Sequence, residues 1–151
     1  MSPTKPKPVP RVFVDADVLF AGSASPSEHS ASQVILRMAE ITLIEALISE
    51  QVFTEVERNL AAKLPQALPN FRHLVDRCLK IVPDPTSTLI EVHHGKADAK
   101  DLPILVAAAR ERCQWLITIN MAHFQPGITE VTVLQPGSFI FMVRDLLMQL
   151  T

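Results

Sequence analysis

The 151-residue chain has little of what marks a scaffold held by cross-links, a membrane protein or a polycation. Cysteine occurs only twice, at Cys78 and Cys113, without metal-ligand spacing. That excludes a disulfide framework or a cysteine-rich zinc site and leaves free buried thiols in a reducing compartment as the expectation. Aromatic residues make up 5%, so the core has to be aliphatic. Long hydrophobic runs are missing. The longest aliphatic stretch, Leu102 to Ala109, is too short and too proline-interrupted to span a bilayer. The positively charged N-terminal segment lacks the apolar core of a signal peptide. No internal repeat is visible, and a cytoplasmic protein with no membrane association is expected. A formal net charge of −2 means that no global basic field advertises nucleic acid. A metal-dependent nuclease nevertheless concentrates acids at its site and keeps its basic residues local, so this balance does not exclude RNA.

What is present, 48% hydrophobic and 20% charged residues, suits one domain large enough to bury a core. Residues 1–10 alternate proline with polar residues and read as an extended tail, with Lys5 and Lys7 either solvated or available to an anionic partner. Val12-Phe13-Val14, running into Asp15 and Asp17, reads as a buried strand with charge at its C-terminal end, where ligands bind in open parallel sheets. Gly22 to Ser27 reads as loop. Ser27 or Ser30 caps a helix with the face Val34, Ile35, Met38 and Ala39. Leu43 to Ile48 reads as a second strand, and Ser49 caps the next helix. This βαβα rhythm predicts an α/β fold with a central, mostly parallel sheet flanked by helices.

That next helix, Glu50 to Lys63, buries Val52, Phe53, Val56 and Leu60, and puts Glu55 and Glu57 at opposite margins of the stripe. Periodicity does not choose between them. Beyond Pro65 and Pro69 a further helix carries Phe71, Leu74, Val75, Cys78 and Leu79 on one side. Its other side, with Arg72, Arg77 and Lys80, is a solvated face and the best candidate for phosphate contacts. Ile81-Val82 reads as a short strand, and residues 86–100 as irregular apart from a short element at Leu89 to Val92. Asp101 is placed to cap a helix with Pro103 in its first turn. Trp115 to Ile119 reads as a strand ending at Asn120, and Val131 to Leu134 as the last strand. Pro136-Gly137 reads as a turn and Phe139 to Leu150 as a closing amphipathic helix.

The acids at sheet ends or beside them are Asp15, Asp17, Glu55, Asp98 and Asp101, with Asn120 as a neutral oxygen donor. Singly, each has an ordinary reading: Asp98 and Asp101 as helix caps, Glu55 as a surface residue, Asp17 as the polar residue after a strand. Together they form a cluster. Carboxylates within about 5 Å repel by a few kcal/mol per pair at intermediate dielectric, so such a cluster demands protons or a cation. An all-oxygen site suits Mg²⁺ or Mn²⁺ better than zinc, and an ion held there activates water at a phosphodiester.

Four motifs in order resemble those of PIN-domain ribonucleases, a group that includes VapC-like toxins of type II toxin-antitoxin pairs and stand-alone bacterial PIN proteins. Val12-Phe13-Val14-Asp15-Ala16-Asp17-Val18-Leu19 resembles the opening strand, with Asp15 as first metal ligand and Asp17 where the family usually has Asn. Ser49 to Arg58 resembles the second motif, and the match falls on Glu55. Asp98-Ala99-Lys100-Asp101 followed by Leu102 to Ala109 resembles the third, with Asp101 as the main acid and Asp98 in support. Leu116-Ile117-Thr118-Ile119-Asn120 with His123-Phe124 resembles the fourth, where many members carry Asp in place of Asn120. The resemblance runs from Arg11 to about Phe141 and implies a three-layer nuclease domain, placed at residues 11–151. It also implies Mg²⁺ or Mn²⁺, an RNA substrate, an antitoxin partner and a homodimer. Asp15, Glu55 and Asp101 would be catalytic ligands, Asp98 and Asn120 further ligands, and Asp17 and Thr118 supporting residues.

Two other readings stand beside it. Asp15-Ala16-Asp17-Val18-Leu19 also resembles the nucleophile motif of haloacid-dehalogenase-like phosphatases, with Asp15 attacking phosphorus and Ser49 binding phosphate. Their last acidic motif follows a strand, however, whereas Asp98 and Asp101 open a helix. A PIN-like fold kept as an RNA- or protein-binding module is the third reading, prompted by Asn120. His93, His94 and His123 read as solvated loop histidines.

Overall fold

The structure, a computed structural model, describes residues 9–25, 27 and 30–150. Most of the proline-rich tail, with Lys5 and Lys7, lies outside the described residues. Five strands form one parallel sheet in the order β3-β2-β1-β4-β5. They are β1 (Arg11–Val14), β2 (Glu45–Ser49), β3 (Leu79–Val82), β4 (Trp115–Ile117) and β5 (Thr132–Leu134). Val12, Phe13 and Val14 are fully buried, as a central parallel strand with both faces covered requires. Phe13 stands in register with Leu47 on one side and Leu116 on the other. The sheet grows from β1 in both directions, so the crevice beyond the carboxyl ends of β1 and β4 is the topological switch point, where open α/β sheets bind ligands.

The chain turns into α1 (Ala16–Ala24) immediately after β1, so Gly22 to Ala24, expected as loop, are helical. Gly22 is a packing residue. A Cβ there would come within 2.9 Å of Leu36 Cδ1 on α2 (Ala31–Glu40), so the missing side chain lets the two helices approach. Ser30, not Ser27, caps α2, its Oγ accepting from Gln33 N at 3.2 Å. Leu36 joins Ile35 and Ala39 on the buried face, and β2 starts at Glu45 because the amides of Leu43 and Ile44 turn back to Met38 O instead of pairing in the sheet.

The bounds of α3 (Glu50–Lys63) are those read from the sequence, with Ser49 Oγ accepting from Val52 N at 3.3 Å. A 3-10 turn over Pro65–Ala67 leads into α4 (Leu68–Cys78). Leu79 and Lys80, expected on that helix, belong instead to β3, where Lys80 pairs with Leu47. Next come α5 (Ser87–Val92) and α6 (Leu102–Arg110), with α6 packed on β4 and α5. Thr118 and Ile119 leave the sheet before the 3-10 turn Met121–Phe124. The last helix, α7 (Pro136–Met148), begins at Pro136, because proline suits a helix's first turn as well as a reverse turn. No helix among the described residues is long and apolar enough to cross a membrane.

Candidate active site

The strand end at Asp15 is tied to β4 by its backbone and by its carboxylate. Asp15 N donates to Ile117 O at 2.9 Å, Oδ1 accepts from Ala16 N at 2.7 Å, and Oδ2 accepts from Thr118 Oγ1 at 2.8 Å. Thr118, fully buried, also lies 3.2 Å from Asp17 Oδ2, so its single hydroxyl proton is contested by two carboxylates. Asp17 Oδ2 further accepts from Ile119 N at 3.1 Å and Asn120 Nδ2 at 3.4 Å. The other oxygen of Asp17, Oδ1, is buried and has no hydrogen-bond partner among the described residues.

Asp101 enters from the mouth of α6. It stands at the N-cap position, yet its side chain makes no capping bond and meets His123 Nδ1 at 3.3 Å instead. Asp98, Asp101 and His123 each bring one ligand atom within 4.8 Å of the others. Electrostatics joins this group to the first one. Burial, then the charges of Asp17 and Asp101, push the Asp15 carboxyl up from its ordinary 3.8 to about 7, against the Thr118 and Ala16 bonds that lower it. Burial also raises Asp101; His123 and Lys100 work to lower it, and Asp98 and Asp17 add to the rise. Burial and neighbouring carboxylates thus oppose ionisation of both Asp15 and Asp101.

Glu55 on α3 shares a groove of about 210 Å³ with Asp17, Asn59 and Lys63, and meets Lys100 Nζ at 3.7 Å. Glu57 turns away to Arg72, at 3.5 Å, so the two margins of the α3 stripe face different neighbours. A larger groove of about 550 Å³ runs on from Glu55 along Gln51, Arg58, Asn59, Asp84 and Lys100. Asn120 is exposed and lies within reach of Asp17 rather than of Asp15.

The structure therefore brings Asp15, Asp17, Thr118 and Asn120 into one hydrogen-bonded group, with Asp101 coupled to it and Asp98 beside Asp101. It does not bring Arg77 and Lys80 there. These line a groove with Val9, Glu45 and Leu79, at the amino ends of the strands and so at the opposite edge of the sheet. Arg72 is engaged by Glu57. The cations beside the acids include Lys63, in the smaller groove, and Arg58 and Lys100, in the larger one; sequence reasoning assigned none of them a role. Arg58 had a readable signal, since it follows Glu55 by three residues and so shares its helix face. His123, read as a solvated loop histidine, faces Asp101, and no local pattern foretold a contact that depends on how two loops meet.

A family model described as the PIN domain matches residues 11–122. No curated protein matches the chain. Among solved structures, VapBC2 from Rickettsia felis, bound to a DNA fragment from their promoter, superposes over 83% of this chain and 98% of that one. Its TM-score is 0.63 at 15% identity. VapC20 from Mycobacterium tuberculosis, a sarcin–ricin loop cleaving toxin, covers 70% of this chain and 86% of its own, with a TM-score of 0.49 at 16% identity. The first of these likenesses is one of fold.

Proposed function

Because the chain belongs to the PIN-domain family, we propose that it is a Mg²⁺- or Mn²⁺-dependent endoribonuclease, acting in the cytoplasm as the toxin of a toxin-antitoxin pair. The observation that carries this reading is a buried Asp15, raised to about 7 by burial and then by Asp17 and Asp101, beside an Asp17 oxygen that is buried and has no hydrogen-bond partner among the described residues. Such a site accepts a cation, and its carboxylate donors suit Mg²⁺ or Mn²⁺. Asp15, Glu55 and Asp101 would hold it, with Asp98 and the Asn120 oxygen as further donors. When bound, the ion supplies an activated water and neutralises charge at the scissile phosphate.

The chain's own groups do the rest. Thr118 fixes the direction of the Asp15 carboxylate, and Asp17 fastens the start of α1 to the end of β4. Lys100 Nζ lies 3.7 Å from the Glu55 carboxylate. Together with Arg58 this lysine supplies the cations of the larger groove, which also holds Glu50 and Asp84, so phosphate contacts are assigned to Arg58 and Lys100 in place of Arg72, Arg77 and Lys80. In this reading the nuclease domain spans residues 11–151, after the proline-rich residues 1–10. Two buried thiols, pushed up to about 11 for Cys78 and about 12 for Cys113, suit a reducing compartment. The exposed apolar side chains of α7, Phe141, Leu146, Leu147 and Met148, offer a surface for an antitoxin or a second copy.

The phosphatase reading needs an acid that follows a strand, whereas Asp101 stands at the mouth of α6. Cleavage of an RNA panel in Mn²⁺ by wild type and Asp15→Asn tests the assignment. Loss of at least about a hundred-fold in rate is expected of the variant. Equal cleavage by the two proteins overturns it, and an acyl-phosphate trapped on Asp15 with turnover of small phosphomonoesters would establish the phosphatase.

A further inference from the structure

His123 brings an imidazole nitrogen to the acidic pair Asp98 and Asp101. Its place is fixed by main chain. The His123 carbonyl accepts from Asp98 N at 2.8 Å, its amide donates to Asn120 O at 3.1 Å, and Gly127 N donates to Lys96 O at 2.8 Å. Phe124, next in the chain, is buried in the core. The loop before α6 and the turn carrying His123 are therefore clamped together without help from the imidazole. The ring, half exposed and meeting Asp101 through Nδ1, is thus not needed to hold the two loops together.

The spacing of the donors points the same way. His123 Nδ1 and Asp101 Oδ2 are 3.3 Å apart. Two donors in adjacent positions of an octahedral ion at about 2.1 Å lie about 3 Å from each other. Asp98 completes the group within 4.8 Å. An imidazole so placed changes which ion the site prefers. Mg²⁺ takes hard oxygen donors and gives up water reluctantly. Mn²⁺ shares the preference for carboxylates but, as a softer transition-metal ion, tolerates one imidazole among them.

We propose that His123 is a ligand of the catalytic ion and biases the site toward Mn²⁺ over Mg²⁺. The proposal rests on the reading of the acids as a metal site. A histidine that only orients Asp101 would affect both ions alike, so the two roles separate experimentally.

Pulsed electron paramagnetic resonance of the Mn²⁺-loaded protein reads the bond directly, through the coupling of a ligated ¹⁴N nucleus. Wild type is expected to show that coupling and His123→Ala to lack it. Calorimetric titration should show that His123→Ala lowers Mn²⁺ affinity by about ten-fold or more and leaves Mg²⁺ within about two-fold. His123→Asp, which restores a donor but makes it oxygen, should bind Mg²⁺ at least as well as wild type and show no nitrogen coupling. Stoichiometric Mn²⁺ binding to wild type without ¹⁴N coupling overturns the proposal and leaves the metal site standing, as does an equal loss of both ions in His123→Ala. If wild type binds neither ion, the metal site itself falls and this inference falls with it.

Discussion

Asp15 carries a conflict between stability and function. Its carboxyl titrates near 3.8 when unfolded and at about 7 in the fold, chiefly through burial and then through Asp17. Across that window the folded state binds more protons than the unfolded one, so metal-free stability falls as pH rises. The contribution of this group is fully present below about pH 4 and is lost as pH passes about 7. Denaturant melts at pH 5 and pH 8 should therefore show a drop on the order of a few kcal/mol in wild type. Asp15→Asn, which cannot ionise, should lose less and be the more stable protein at pH 8. Saturating Mn²⁺ should restore wild type at pH 8, by mass action on the folded state, and do little for the variant. A wild type as stable at pH 8 as at pH 5 without metal would show that the fold does not oppose ionisation of Asp15. Thr118 moderates the conflict, since its hydroxyl bond to Asp15 lowers the carboxyl's pKa.

Among the elements, α1 and its approach to α2 set the site's position, because α1 begins on Asp15 and carries Asp17 in its first turn. Gly22 makes that approach possible. Gly22→Ala should cost about 0–2 kcal/mol, the push on the tip of buried Leu36 outweighing the roughly 1 kcal/mol that alanine gains in a helix. A measured gain in melting temperature, as expected for alanine in an uncrowded helix, would contradict this packing. The same glycine shows where the sequence was ambiguous. Gly22 beside Ser23 and Ser25 has the composition of a loop, and a glycine kept for close helix packing looks identical until its neighbour is known. The elements that were legible had two agreeing signals. For β1 these were an apolar run and the charges that end it; for α3, the Ser49 cap and the stripe Val52, Val56 and Leu60. Lys80 was misplaced because the apolar period of α4 continues through Leu79 into β3 with no glycine or proline at the boundary. The chain positions of Asp15, Asp98 and Asp101 were legible from strand and helix ends. The partners of Asp101 were not, since His123 reaches it only when two loops pack.

At the scale of the whole molecule the parallel sheet gives the protein two unlike edges. The carboxyl edge gathers Asp15, Asp17, Asp101 and Thr118 from both sides of the switch point, with Glu55 leaning in from α3. Arg58 and Lys100 flank it along the larger groove. The amino edge carries Arg77 and Lys80, on the far side from the acids. A net charge of −2 therefore conceals a local arrangement, a few cations beside the acids, that suits a polyanionic substrate held against a metal. The central claim is that these acids, scattered over more than eighty residues of sequence, hold one catalytic ion at the switch point. Anomalous diffraction from crystals soaked in Mn²⁺ tests it most directly: the account predicts a peak within coordination distance of both Asp15 and Asp101, and a saturated crystal with no peak there, or with manganese only elsewhere on the surface, would contradict it.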